Sequence, residues 1–318
     1  MGHDGPVDPA LVRIAGPWTH RGVSANGIRI HVAEYGPADG PLVVLLHGFP
    51  EFWWTWRHQL LALGDAGYHV VAPDLRGYGD TDKPPRGYDL WTLAGDCAGL
   101  IRALGERRAH VVGHDWGAAI AWSVTALHPR LVRSLTALGA PHPVTMRDAV
   151  LRDPLGQGRA SRYMAGFQLP RLPERSLRAG RGARIETIMR AWAGPEWTST
   201  ADFADAVARN RDAIRISTVA HCSLEYYRWT VRSLFRPEGL RFARAVSAPV
   251  GVPVLQVHGA DDPCVLDTTM RRTRRYAGAG FAHHALPATG HFPQQERPDR
   301  VTELILQHLG PTPAHDGG

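Results

Sequence analysis

Between residues 28 and 114 of this chain, short apolar runs alternate with amphipathic stretches. "GIRIHVAEYG" shows the every-second-residue alternation of a half-buried strand, while "PLVVLLHG", "YHVVAPD" and "AHVVGHD" are centred on short apolar runs and read as strands buried on both faces. The intervening "WTWRHQLLALGDAG" and "WTLAGDCAGLIRALGE" place apolar residues at helical spacing and end near glycine. Buried strands alternating with amphipathic helices predict an α/β fold, a mostly parallel central sheet flanked by helices. "LVRSLTALGAP" predicts one more strand. From Thr145 to Val246 the buried-strand signal stops, and the chain becomes helical, arginine-rich and aromatic-rich. "VPVLQVHG" then restores a buried strand, "RRTRRYAGAG" closes a helix, "FAHHALPATGH" supplies the last strand and "RPDRVTELILQHLG" a C-terminal helix. The pattern divides the chain into a first core segment (1–144), an inserted helical cap (145–246) and a second core segment (247–318). The first ten and last eight residues are expected to fray.

Composition narrows the function classes. With 44% hydrophobic and 21% charged residues among 318, the chain has globular values. No apolar run approaches the roughly 18 residues of a membrane span, so no stable membrane insertion is expected. "MGHDGPVDPA" lacks the basic start and apolar stretch of a secretion signal, and Val7 is not the Ser or Thr of a myristoylation site. Three cysteines (Cys97, Cys222, Cys264) cannot all pair, which fits reduced thiols and a cytoplasmic location. No HExxH, phosphate-binding loop or dinucleotide fingerprint occurs, so neither metal nor organic cofactor is expected. The net charge of +6 raises the question of nucleic acid. However, the basic residues are 35 arginines and one lysine, Lys83, an imbalance of the kind codon composition sets. Many arginines fall between Arg147 and Arg190. They read as a solvated face, with an anionic surface as the competing reading and no nucleic-acid partner expected.

The chemistry starts at "VVGHDWGAA". Gly113-His114-Asp115-Trp116-Gly117 is the frame of a nucleophile elbow, a sharp strand-to-helix turn that exposes one side chain. That side chain is usually serine, and here it is Asp115. An aspartate before a helix is ordinarily an N-cap, but the flanking glycines and a downstream histidine favour the elbow. Asp262, in "LQVHGADDPCV", and His291, in "ALPATGHFPQQERP", each follow a predicted strand. The order nucleophile, acid, histidine is that of α/β-hydrolases. All three fall where α/β sheets hold ligands, at strand C-terminal ends.

"HGFP", "DLRGYGDTDKP", "GHDWG" and "GHFPQQERP" together resemble the epoxide hydrolases of the α/β-hydrolase fold, over roughly residues 20 to 310. The resemblance favours Asp262 over its neighbour Asp261, because the family's Gly-x-x-Asp pattern begins at Gly259. Through the HGxP motif it makes the Phe49 N–H an oxyanion donor and Pro50 a cis proline. The N–H after the nucleophile, that of Trp116, is the other donor. The family's two cap tyrosines map onto Tyr163, four residues before Phe167 in "YMAGFQLP", and onto Tyr227, ahead of Arg228 in "SLEYYRW". Tyr226 is the rival, about 100° away around the helix. Phe49, Trp116, Tyr163 and Tyr227 are also the expected substrate contacts.

A carboxylate at the elbow has a chemical rationale. Serine attacking a saturated carbon makes an ether, which activated water does not cleave, whereas a carboxylate makes an ester, which it does. An ordinary aspartate is already ionised near neutral pH. His291, oriented by Asp262, is then free to activate water. Haloalkane dehalogenases share this nucleophile, but Phe49 between Gly48 and Pro50 departs from the Asn or Glu many of them carry. "DWGAAIAW" also lacks the arginines of fluoroacetate-type enzymes. A ligand-binding scaffold without catalysis would not need all three residues. The expectation is a detoxifying hydrolase that acts on a small apolar epoxide, as a monomer or a homodimer.

Overall fold

The computed structural model describes residues 7–278 and 280–310. Its strands are β1 (Thr19–Ala25), β2 (Ile28–Tyr35), β3 (Leu42–Leu46), β4 (His69–Pro73), β5 (Ala109–His114), β6 (Val132–Leu138), β7 (Val254–Gly259) and β8 (Phe281–Leu286). They form one sheet in the order β1-β2-β4-β3-β5-β6-β7-β8. β2 runs antiparallel to both β1 and β4, and every pairing from β4 to β8 is parallel. β3, β4 and β7 are buried at every residue, as strands covered on both faces must be. Helices α1 (Arg57–Asp65), α2 (Leu90–Ala103) and α3 (Trp116–Leu127) belong to the first core segment. α2 and α3 pack together, while α1 packs on the C-terminal helix Pro298–Leu309.

Between β6 and β7 the chain forms only helices. These are α4 (Pro143–Arg152), α5 (Gln157–Ala160), α6 (Tyr163–Gly166), α7 (Leu172–Trp192), α8 (Ala201–Ala213), α9 (Val219–Ser233) and α10 (Pro237–Ala245). Pro143 and Pro237 open α4 and α10, where a missing N–H costs nothing. The Thr200 hydroxyl caps α8 by accepting the Phe203 N–H at 3.1 Å. α7 is two helices joined by a kink over Ala179–Gly182. After β7 come α11 (Asp267–Arg271), α12 (Pro293–Glu296) and α13 (Pro298–Leu309).

Four details depart from the sequence reading. β1 was not anticipated: "THRGVSA" is largely exposed, and its strand exists because it pairs in register with β2, from Thr19 opposite Glu34 to Ala25 opposite Ile28. The helical run after residue 201 breaks at Thr218, whose φ of 63° separates α8 from α9. "RRTRRYAGAG" closes the short α11 at Arg271 and continues as a 3₁₀ turn, Arg272–Tyr276, that delivers Ala277 to a bridge with Val250. At the N-terminus, residues 7–10 are not frayed: Val7 bridges Ile216, and Asp8 caps a 3₁₀ turn by accepting the Ala10 N–H. Residues 1–6 and 311–318 lie outside the described residues.

The sheet order explains where chemistry can sit. From β3 the chain goes outward to β4 and then crosses back to β5 on the other side of β3. The loops leaving β3 and β5 therefore diverge, opening a crevice at their C-terminal ends. Phe49 follows β3 and Asp115 follows β5.

Candidate active site

Asp115 occupies φ 50°, ψ −116°, a conformation that costs a non-glycine residue about 1–3 kcal/mol. The neighbours enforce it. A Cβ on Gly113 would lie 2.2 Å from the Gly117 carbonyl oxygen, and one on Gly117 would lie 2.0 Å from that of Leu46. Only glycines at both positions let helix α3 start this close to β3 and β5. The Asp115 side chain does not cap α3. It points across the crevice instead, where Oδ1 accepts the Phe49 N–H at 2.9 Å. Phe49–Pro50 is a cis peptide. Trp116 is the first residue of α3, so its N–H is among the donors that lack a partner within the helix.

His291 Nδ1 bonds Asp262 Oδ2 at 2.8 Å, and its Nε2 lies 3.6 Å from Asp115 Oδ2. The other Asp262 oxygen accepts the N–H groups of Cys264 (2.7 Å) and Val265 (3.1 Å), which fixes the carboxylate. Asp262, Cys264 and His291 also bring three metal-ligand atoms within 4.8 Å of one another. In this arrangement, however, both Asp262 oxygens and His291 Nδ1 are already used within the protein.

Two further carboxylates, missed in the sequence, hold the His291 loop. Glu296 accepts the N–H groups of Gly290 (2.7 Å) and Phe292 (3.0 Å) on either side of His291, and that of Gly194 (2.8 Å) from the cap. The His291 N–H in turn donates to the Trp192 carbonyl at the end of α7 (2.8 Å). Below, His114 Nε2 donates to the His291 carbonyl at 2.7 Å, and its Nδ1 meets buried Glu51 at 2.8 Å. Glu51 also accepts from Thr55 and Gln295, each at 2.7 Å. The motifs already held His114 and Glu296, and Glu51 directly follows HGFP, but only the folded chain gives them partners.

These contacts set the protonation states. Burial pushes the Asp115 carboxyl up, but His291, the charge of His114 and the Phe49 amide outweigh it and leave the group below the usual carboxylate range. Burial pushes His291 down, yet Asp262 and Asp115 on its two sides hold it well above an ordinary histidine. The resting site is thus an imidazolium between two carboxylates.

The cap closes over this crevice. Tyr227 packs its ring on Trp116 (centroids 5.0 Å apart) and Phe49 (5.5 Å). Its hydroxyl is buried with no hydrogen-bond partner among the described residues. Tyr163 lies 6.0 Å from Tyr227, ring to ring, and Trp192 packs on both Tyr163 and His291. Tyr226 faces elsewhere, donating its hydroxyl to the Arg76 carbonyl at 2.7 Å. Arg228 clamps the turn after Tyr163 by donating to the carbonyls of Phe167 (3.0 Å) and Leu169 (2.8 Å). Burial first, then the Asp115 charge, raises the Tyr227 hydroxyl well above an ordinary phenol; burial likewise raises that of Tyr163. Both stay protonated donors. A cavity of about 580 Å³ in the cap reaches down to Tyr163 and Trp192. A smaller one, about 80 Å³, lies away from these residues between Trp91 and Phe242.

An eight-stranded sheet with an elbow after β5, a histidine after β8 and a helical insertion after β6 defines the α/β-hydrolase class. The alpha/beta hydrolase fold family model matches residues 41–298. An AB hydrolase superfamily protein of Bacillus subtilis is 36% identical over 291 residues, covering 90% of this chain and 96% of the relative. Epoxide hydrolase A of Mycobacterium tuberculosis is 32% identical over 317 residues, covering 92% and 97%. Among solved structures, a variant of an epoxide hydrolase from Bacillus megaterium superposes with a TM-score of 0.77 at 28% identity, covering 91% of this chain and 99% of that one. The chain belongs to the epoxide hydrolases of the α/β-hydrolase fold.

Proposed function

We propose that this protein converts an apolar epoxide to a vicinal diol through a covalent ester on Asp115. Its place among the epoxide hydrolases supplies the reaction class. The observation that carries the finer reading is the pairing of Asp115 with two hydroxyls, those of Tyr163 and Tyr227, across a crevice walled by Phe49, Trp116 and Trp192. Asp115 attacks one ring carbon, the carbon–oxygen bond breaks, and the tyrosines hydrogen-bond the oxygen that leaves. One tyrosine hydroxyl gives that oxygen its proton as the ring opens; the tyrosinate then regains a proton from solvent, and the His291 imidazolium releases its own to solvent. Ester formation removes the Asp115 charge, which weakens the hold on the His291 proton.

Neutral His291 then takes a proton from water, and the resulting hydroxide attacks the ester's acyl carbon. The N–H groups of Phe49 and Trp116 stabilise the oxyanion; losing such a donor typically costs about 3 kcal/mol. Collapse restores the Asp115 carboxylate and the His291 imidazolium and releases the diol, so the cycle balances in protons. Incubation of the protein with aryl and alkyl epoxides and with haloalkanes, before and after chelation, tests this reading. Diol formation that survives the chelator is expected. Halide release with no diol from any epoxide would contradict it and favour a dehalogenase.

A further inference from the structure

The arginine-rich stretch singled out in the sequence takes on a definite geometry in the cap. Residues 152–184 contain eight arginines and two acids, a net +6 that equals the formal charge of the whole chain. All eight arginines are exposed. The two acids are committed elsewhere: Asp153 accepts the N–H groups of Gly156 and Gln157, and Glu174 pairs with Arg228. None of the eight makes an ion pair among the described residues. On the adjoining parts of the cap, Arg190, Arg209 and Arg211 are all paired with Glu186 or Asp205. Unpaired charge is therefore concentrated on one part of the cap.

That part borders the large cavity, which two of the eight arginines line. Arg162, Leu169, Leu172 and Arg184 line its outer end, while Tyr163 and Trp192 line its inner end. Leu169 is 52% and Leu172 62% exposed, and Leu151 and Leu155 are exposed on the chain leading in. Arg171 directly precedes Leu172 at the start of α7, and Arg175 and Arg178 follow in its first turns, three residues apart. Exposed leucines ringed by unpaired guanidinium groups suit an anionic headgroup layer over an acyl region. Single-stranded nucleic acid would instead call for exposed aromatic platforms, and the exposed large residues here are leucines.

We propose that this face docks the protein reversibly on anionic lipid bilayers, with the cavity mouth turned toward the lipid. The inference rests on the reading of an apolar epoxide as substrate, since such a molecule partitions into the bilayer and would reach Asp115 through that mouth. Co-sedimentation with large unilamellar vesicles tests it, using phosphatidylcholine alone and an equal mixture with phosphatidylglycerol. Binding is expected to the anionic vesicles at 50 mM salt, at least tenfold over the neutral ones, and to disappear near 1 M salt, where the screening length falls to about 3 Å. Each surface arginine contributes about fivefold to such binding. The triple change Arg171→Glu, Arg175→Glu, Arg178→Glu should therefore weaken it by at least about a hundredfold, while turnover of a water-soluble epoxide is unchanged.

Equal binding to neutral vesicles, no binding to anionic ones, or a triple variant that binds like wild type would overturn the proposal. So would binding to a single-stranded RNA oligomer with none to vesicles. Vesicle binding by a protein that turns over no epoxide would sink the proposed function and leave the docking face standing. Turnover without vesicle binding would do the reverse.

Discussion

Replacing Glu296 with alanine separates the two half-reactions. The carboxylate touches no reacting atom, yet it accepts three N–H groups, those of Gly290, Phe292 and Gly194. Alanine leaves all three without their acceptor. A stranded donor costs about 1–3 kcal/mol, and the partly accessible site lets water recover some of that, so the low end applies and the total is about 3 kcal/mol. For a chain of this size, the melting temperature should fall by roughly 4–5 °C. The functional effect should be selective. Asp115 is held by its own elbow and by the Phe49 amide, so ring opening should proceed at near wild-type rate. His291 loses the anchors on both sides, and misplacing a catalytic group by about 1 Å can cost a hundredfold. Rapid-quench kinetics with mass spectrometry should thus show a normal burst of esterified protein followed by hydrolysis slowed about a hundredfold. Glu296→Gln keeps one oxygen for Gly194 and Gly290 but turns an NH₂ toward Phe292, so it should fall between. Equal slowing of both steps would mean that Glu296 only stabilises the fold, and wild-type values for both would refute the reasoning altogether.

The cap tyrosines make a second prediction: Tyr163→Phe or Tyr227→Phe should slow ring opening by about 10²-fold or less, because one donor remains, and the double variant should nearly abolish it. Tyr226→Phe, which loses only a bond to the Arg76 carbonyl, should leave the ring-opening rate unchanged, and a Tyr226 effect matching that of Tyr227 would show the wrong hydroxyl was chosen. His291→Gln should trap the ester, with the added mass on the peptide bearing Asp115; an unmodified protein would argue against His291 as the base for water. Acid stability gives a fourth. His142 is buried and neutral, its Nδ1 accepting the Val144 N–H and its Nε2 donating to the Val246 carbonyl, and burial lowers it to about 3. Between pH 6.5 and about 3 the unfolded chain binds a proton there that the folded chain does not, so stability falls with pH by about 1.4 kcal/mol per unit from this residue. Urea titrations should show that slope reduced by one proton in His142→Asn, and an unchanged slope would exclude the assignment.

The central strands were legible because β3, β4 and β5 are each built on a short apolar run, LVVLL, VVA and VV, of the kind that suits a sheet covered on both faces. The polar edge strand β1 was not, since only its pairing with β2 makes it a strand. The elbow could be read from Gly113 and Gly117, whose missing side chains are a covalent fact of the sequence. Whether Asp115 caps its helix could not, because the answer lies in an amide 66 residues away, that of Phe49. Tyr226 and Tyr227 are indistinguishable by composition, and the Arg76 carbonyl, which holds one of them away, separates them. His114 and Glu296 sat inside the motifs, and Glu51 next to one, without a role, since each acts through partners that only the closed sheet and docked cap provide.

The central claim is that Asp115 attacks carbon rather than activating water, and a single turnover in ¹⁸O-water with enzyme in excess tests it most directly. If Asp115 is the nucleophile, the oxygen it gives the substrate comes from its own carboxylate, and solvent oxygen enters the carboxylate when the ester is hydrolysed. The diol should then be largely unlabelled, and the peptide containing Asp115 should be heavier by one ¹⁸O. Labelled diol in that first turnover, with the Asp115 peptide still light, would contradict the account.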